Sequence, residues 1–344
     1  MSPAPKLLYD LSFDEIAETC GPDAALQTFG ALYRRPGKSR YDIEATASRL
    51  NVETTALHVV ETSTGSMTKK FVFGLEDGYA VEAVLIKRRD GYSACVSSQV
   101  GCAFGCKFCA SGQAGLMRNL SPGEIIQQVL HLDKKVSRIV FMGIGEPLNN
   151  YKNVLAAIRL MRDRRGMNFS TGGITISTIG IPKALTALRE EHLKVNLTIS
   201  LHATDQQTRS ELIPGSRSHD IHEVIERSQS WAARHNRTVT YVYLLMQGIN
   251  TAASDMGRLI DWFGHNPLSR VNLMRWNPVA GVSLPRTPDK TLSGFRRGLD
   301  DAGVNVVVRD TQGNDISAAC GQLWLRDART RAAIVKRGSR RQAD

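Results

Sequence analysis

Three cysteines crowd into eight residues of this sequence: Cys102, Cys106 and Cys109, within Gly101-Cys102-Ala103-Phe104-Gly105-Cys106-Lys107-Phe108-Cys109-Ala110-Ser111-Gly112. Thiolates are soft ligands, and a C-x3-C-x2-C loop with glycines at 101, 105 and 112 can curl tightly enough to aim all three at one inorganic centre. Structural zinc normally takes four protein ligands, and no second close Cys or Cys/His pair occurs in the chain. Three ligands suit a [4Fe–4S] cluster with one iron left open, able to hold a small molecule and pass it an electron. The competing reading is zinc with a distant fourth ligand. Cys20, Cys95 and Cys320 stand apart; an isolated cysteine is most often a small buried hydrophobe, and Cys20 is read that way.

Such a loop needs elements to hold it. From about residue 94 to 310, short β-branched runs alternate with amphipathic segments. Strands are expected at 94–98, 138–143, 173–178, 194–201, 238–246, 270–276 and 305–309, and helices at 122–134, 152–164, 182–190, 222–235, 254–264 and 288–302. Ser121-Pro122-Gly123-Glu124 is a capping box with proline at the first helical position, which marks one boundary firmly. Repeated βα units imply an α/β fold on a parallel sheet, and periodicity by itself leaves an open doubly wound sheet and a barrel both standing. In either, ligands belong at the carboxyl ends of the strands, and the cysteine loop follows the first of them. Residues 1–66 read as a helical accessory domain, with helices at 13–20, 23–33 and 42–50. Residues 67–93 read as a connecting β-hairpin turning at Asp77-Gly78, 94–325 as the core, and 326–344 as a basic tail.

The chain is 42% hydrophobic and 22% charged, which excludes wholesale disorder and fibrous repeats. No run approaches the ~20 apolar residues of a membrane span. The opening Met1-Ser2-Pro3-Ala4-Pro5 lacks the features of a secretory signal, so a cytoplasmic protein with no membrane association is expected. An excess of 44 Lys/Arg over 33 Asp/Glu gives +11 and favours an anionic partner, nucleic acid above all, over solubility alone. Part of that excess is local, because 326–344 holds seven basic residues against two acidic ones.

At Cys102, Cys106 and Cys109 the loop resembles the radical S-adenosylmethionine superfamily. The surroundings are more specific: Cys95-Val96-Ser97-Ser98-Gln99-Val100-Gly101, Met117-Arg118-Asn119-Leu120, Met142-Gly143-Ile144-Gly145-Glu146-Pro147-Leu148-Asn149, Ile176-Ser177-Thr178, Ile199-Ser200-Leu201-His202, and Asp315-Ile316-Ser317-Ala318-Ala319-Cys320-Gly321-Gln322-Leu323. Together they resemble the RlmN/Cfr family of 23S rRNA adenosine methyltransferases, over roughly residues 70 to 324. The resemblance implies a partial (β/α)6 barrel with a [4Fe–4S] cluster and S-adenosylmethionine at its top. It implies cofactor contacts from Gly145, Glu146, Ser177, Ser200, Leu201, His202 and Asn277. It also implies an electron donor such as flavodoxin or ferredoxin and action as a monomer.

An sp2 ring carbon of adenine is a poor nucleophile, so direct attack on a sulfonium methyl is blocked. The family first moves a methyl group onto a protein cysteine, which a thiolate accepts readily, and then carries it to the base by a radical route. By resemblance Cys320 is the methyl carrier, Cys95 the thiol that resolves the protein–RNA adduct through a transient disulfide, and Glu82 the proton acceptor. From the residues alone Cys95 could be strand core, Glu82 a solvated strand face and His202 a packed histidine. Lys87-Arg88-Arg89, Arg118 and the basic tail are available to line a positive rim for RNA phosphates. By the resemblance the expected target is C2 of adenosine 2503 in 23S rRNA, with adenosine 37 of tRNA left open as a second substrate. Ile176-Ser177-Thr178-Ile179-Gly180 and Ile316-Ser317-Ala318-Ala319-Cys320 lean instead toward C8. Two other classes are a radical activase, with no use for a Cys95–Cys320 pair, and a zinc-stabilised RNA-binding module without catalysis.

Overall fold

The structure, a computed structural model, describes residues 6–34, 41–309 and 312–323. The basic tail therefore lies outside the described residues. Three short helices open the chain: α1 (Phe13–Cys20), α2 (Pro22–Phe29), which runs on into one π turn, and α3 (Ile43–Leu50). Ser12 and Asp42 cap α1 and α3 through their side-chain oxygens, as their positions ahead of helical runs dictate.

A three-stranded antiparallel sheet follows, β1 (Leu57–Thr64), β2 (Thr68–Leu75) and β3 (Ala80–Arg88). Residues 57–64 fall in the segment expected to be helical. A bulge between Val59 and Glu61 breaks their two-residue alternation, so four β-branched residues in eight did not read as a strand. In the segment expected as a connecting hairpin, 67–93, β2 pairs with β3, and β3 pairs on with β4 (Gly91–Cys95), which joins the accessory strands to the main sheet.

From β4 the sheet turns parallel. The order is β4, β7 (Arg138–Phe141), β8 (Ile174–Thr178), β9 (Asn196–Ser200), β10 (Val239–Leu245), β11 (Ser269–Arg275) and the three-residue β12 (Val306–Val308). A separate pair, β5 (Gln99–Gly101) and β6 (Leu116–Asn119), brackets the cysteine loop. The helices between strands are α4 (Pro122–Leu130), α5 (Tyr151–Arg162), α6 (Pro182–Glu190), α7 (Gln206–Leu212), α8 (Ile221–His235), α9 (Ala253–Phe263) and α10 (Asp289–Asp301). Only α7 was not expected. Its seven residues, Gln-Gln-Thr-Arg-Ser-Glu-Leu, carry no apolar period.

Alternation along each parallel strand sends one set of side chains outward to the helices. Ile139, Phe141, Ile176, Ile199, Tyr241 and Leu273 join the main core this way. The other set points inward: Cys95, Val140, Ser177, Ser200, Val242 and Met274 line cavities. Cys95 on β4 and Met274 on β11 share one cavity, so the first and sixth parallel strands face each other and the sheet curls into a barrel. Among the described residues β12 does not pair back onto β4, which leaves the barrel partial.

Strand β4 stops at Cys95, and the chain leaves the sheet to start the cysteine loop. Gln128 of α4 holds this exit: its Oε1 accepts from the Ser97 amide at 2.8 Å and its Nε2 donates to the Ser97 carbonyl at 3.0 Å. All of these groups are buried. Gln128→Ala strands two backbone groups without partners, and thermal or urea denaturation is expected to show a loss of about 1–3 kcal/mol.

Candidate active site

The cysteine loop lies on the carboxyl end of the barrel. Gly101 permits its entry: at φ +75°, a Cβ there would lie 1.9 Å from the Gly115 carbonyl oxygen. Lys107 donates its amide to the Leu212 carbonyl at 2.9 Å and Gly215 donates to the Phe104 carbonyl at 2.9 Å, so α7 and the turn after it buttress the loop. Phe104, Phe108, Ile179, Leu212 and Ile213 form an apolar bed against which the three cysteines pack.

Cys102, Cys106 and Cys109 line one pocket. Gly145, Glu146, Ser177, Ser200, His202, Asn277 and Cys320 line the same pocket. Leu201 does not: its side chain is buried in the main core, and its amide donates to the Val242 carbonyl at 3.0 Å. Glu82 is likewise outside this lining. It is buried on β3, two residues from Val84, and pairs with Lys70 at 3.0 Å. Val84 packs with Cys95, Ala318 and Leu323, so Glu82 shares the face of β3 that meets the Cys95 cluster.

Burial sets the charge state of this site. The Glu146 carboxyl is pushed up to about 7 by desolvation, against hydrogen bonds to Thr178, Ile179 and Leu148 that favour its ionised form. Its two oxygens accept from the Leu148 and Ile179 amides, each at 2.9 Å. Burial and the nearby Arg209 push His202 down to about 3, and its Nδ1 accepts from the Leu244 amide at 3.2 Å. That hydrogen bond assigns the proton of the neutral ring to Nε2. Burial also raises the thiols, Cys102 to about 12, so ionising all three takes a cation in their midst.

The donor set suits a cluster by its chemistry: three soft thiols from one loop, bedded on apolar side chains, line a single pocket.

Cys320 is exposed, on a segment laced to the cysteine loop. Ala110 donates its amide to the Gly321 carbonyl at 2.7 Å and Ser111 donates its hydroxyl to the Leu323 carbonyl at 2.7 Å. Asn277 donates to the Cys320 carbonyl at 3.0 Å, and Gln322 donates to the Pro278 carbonyl at 2.8 Å. Cys95 and Cys320 also line a second cavity together, and both are free thiols. Burial first, and the neighbouring Cys320 second, push the Cys95 thiol up to about 12.

These features match known proteins. The radical SAM superfamily matches residues 96–262. A protein of Rhodopseudomonas palustris strain BisB5 named "Probable RNA methyltransferase" is 67% identical over 76% of this chain and 73% of its own. One of Desulforamulus reducens, named "Probable dual-specificity RNA methyltransferase RlmN", is 43% identical over 75% of each chain. The crystal structure of a radical SAM methyltransferase from Sphaerobacter thermophilus superposes with a TM-score of 0.86 at 34% identity, covering 93% of this chain and 99% of that one. The chain belongs to the RlmN/Cfr family of radical SAM RNA methyltransferases. Membership makes it a SAM-dependent enzyme and sets aside the non-catalytic zinc module.

Sequence reading missed Met274 and Arg309, which line both cavities. It also missed Arg209, a fully buried guanidinium that donates to the Ile179 and His219 carbonyls. Arg118, expected on an RNA-facing rim, is instead engaged by Glu124 at 2.7 and 2.8 Å and by Asp77. No described helix is long and apolar enough to cross a membrane.

A carboxyl raised on folding contributes stability that is present at pH below its unfolded value and is lost as pH climbs through about 7. Glu146→Gln removes that titration. In the cofactor-free protein, the fall in thermal midpoint between pH 5 and pH 8.5 is expected to be smaller in the variant than in the wild type.

Proposed function

We propose that this enzyme methylates adenosine in RNA, at C2 of adenosine 2503 in 23S rRNA and of adenosine 37 in tRNA, by way of a methyl group carried on Cys320. The observation that supports this reading is that Cys320 lines the pocket of the three clustered cysteines and also the cavity that holds Cys95. One sulfur thus borders both compartments, as a carrier between two half-reactions must. Relatives named as dual-specificity RNA methyltransferases support two RNA substrates.

Cys102, Cys106 and Cys109 would hold a [4Fe–4S] cluster, and Gly145, Glu146, Ser177, Ser200, His202 and Asn277 would surround S-adenosylmethionine. When bound, these supply the one-carbon unit and the electron that starts the radical step. Gly145 suits a backbone approached closely, since at φ +104° any Cβ would lie 2.6 Å from Gln99. Asn277 fixes the main chain of the carrier while leaving its thiol exposed.

In this reading the Cys95 thiolate attacks the sulfur of Cys320, breaking the carbon–sulfur bond to the RNA; the released carbon keeps the bonding pair and takes a proton to become the methyl group, and a Cys95–Cys320 disulfide is left. A dithiol, or a donor such as flavodoxin or ferredoxin, reduces it for the next round. Glu82, paired with Lys70 at 3.0 Å, takes the proton leaving the ring carbon. The enzyme works as a monomer in the cytoplasm.

Cys320→Ala is expected to retain iron and cofactor cleavage and to lose RNA methylation by more than about 1,000-fold. Cys95→Ala is expected to accumulate protein crosslinked to RNA, seen as a nuclease-sensitive shift on denaturing gels. Mass spectrometry of nucleosides from treated RNA, against 2-methyl- and 8-methyladenosine standards, tests the ring position. Normal turnover in either variant overturns the carrier mechanism, and 8-methyladenosine as the product overturns the C2 assignment.

A further inference from the structure

Behind the cysteine loop lies a charge that the chemistry above does not use. Arg209, on α7, has no exposed surface. Among the described residues its partners are two carbonyl oxygens and no carboxylate: it donates to the His219 carbonyl at 3.4 Å and to that of Ile179, and its Nε meets nothing. Two carbonyl dipoles do not neutralise a buried cation. Charges sealed inside a fold are normally paired or set against a metal centre, because neutral hydrogen bonds do not offset their desolvation. Burial pushes this guanidinium down to about 10, and Cys106, Asp220 and Glu146, in that order, hold it up, so it is still charged at neutral pH. Asp220 is exposed and occupied in capping α8, where it accepts from the His222 and Glu223 amides. The other two groups line the cysteine pocket.

The backbone shows how Arg209 is set. Leu212 and Ile213, on the next turn of chain, belong to the apolar bed under the three cysteines, and the Leu212 carbonyl accepts at 2.9 Å from the amide of Lys107, between Cys106 and Cys109. Ile179 joins the two sides: its amide donates to Glu146 at 2.9 Å and its carbonyl accepts from Arg209. Arg209 itself stands behind the wall and is not among the residues that line the pocket. Its charge nevertheless acts on the lining, favouring the ionised form of Glu146 and the neutral form of His202.

Three thiolates around a doubly positive [4Fe–4S] core leave one net negative charge, and an electron taken from a low-potential donor makes it two. Net charge and the surrounding field are what set the potential of such a centre. The buried cation lacks an anion, and the three thiols would hold one. We propose that Arg209 is the counter-ion of the cluster, a fixed positive charge behind the cysteine loop that favours the reduced form and raises its midpoint potential. This rests on the cluster assigned above to Cys102, Cys106 and Cys109 and deepens that assignment by naming the residue that tunes it.

The test is a redox titration of the full-length, cluster-loaded enzyme with dithionite, without S-adenosylmethionine or RNA, followed by electron paramagnetic resonance. A unit charge about 10 Å from a redox centre, at an effective dielectric near 20, moves a one-electron equilibrium by roughly tenfold. Arg209→Gln and Arg209→Met, both neutral, are expected to lower the reduced-to-oxidised ratio at a fixed potential by about tenfold, a midpoint about 59 mV more negative. A loosened wall that admitted water would move the midpoint upward, since water favours the more highly charged reduced form, so the sign separates a lost charge from a damaged site. Iron content and the thermal midpoint of the cluster-free chain report the integrity of each variant, and one intact neutral variant suffices. An intact variant that keeps the wild-type midpoint, or raises it, overturns the assignment. Failure of both variants to fold or to take up iron overturns it as well, since it would make Arg209 part of the scaffold rather than a counter-ion. A wild type that binds no iron overturns the cluster reading with it.

Discussion

The contact on which the site depends is the seating of the segment around Cys320 against the cysteine loop, joined amide to carbonyl at Ala110 and Gly321. Gly321 is required there, since at φ +82° a Cβ would come within 2.9 Å of the Phe108 carbonyl oxygen. Ser111 and Asn277 add side-chain bonds on either side. The far end of the same segment is anchored as well, where the Asp315 carboxylate accepts from the amide of Ser66, in the turn between β1 and β2, at 2.9 Å. The last described stretch of chain thereby ties the accessory strands, the barrel mouth and the cysteine loop into one wall.

Inside that wall the groups are arranged to be neutral. Desolvation lifts the carboxyl of Glu146 and the thiols of the loop and lowers the imidazole of His202, each toward its uncharged form. Arg309 on the pocket wall is one exception and Arg209 another, a guanidinium with no exposure, held by carbonyl oxygens behind the loop. The site is therefore a low-dielectric chamber in which any charge brought in, whether thiolate, sulfonium or phosphate, is felt strongly.

Local signals were legible in the sequence where chemistry and spacing coincide. The cysteine loop, the capped start of α4 at Ser121-Pro122 and the whole of α6 read directly. Strand β1 did not, because a bulge broke its period, and neither did α7, because a polar seven-residue helix has no period to find. Side-chain partners were the larger gap. Arg118 reads as a free cation in a basic chain, yet Glu124 and Asp77 occupy it. Leu201 stands between two pocket residues, and strand alternation turns it outward into the core. Asn272, Met274 and Arg309 come from inward strand positions that only the curled sheet brings beside Cys95.

A pinned backbone beneath an exposed thiol has a mechanical corollary. Cys320 is fixed through its own carbonyl and through neighbours on both sides, so its sulfur moves only on a one-bond rotor. Its working radius is then the length of a cysteine side chain, a few ångströms, and under the carrier mechanism proposed above everything it serves must come within that arc. Under that proposal delivery falls to the incoming molecules, each docking at a fixed depth, and lengthening the segment by even one residue would put the rotor out of registration with both of its stations.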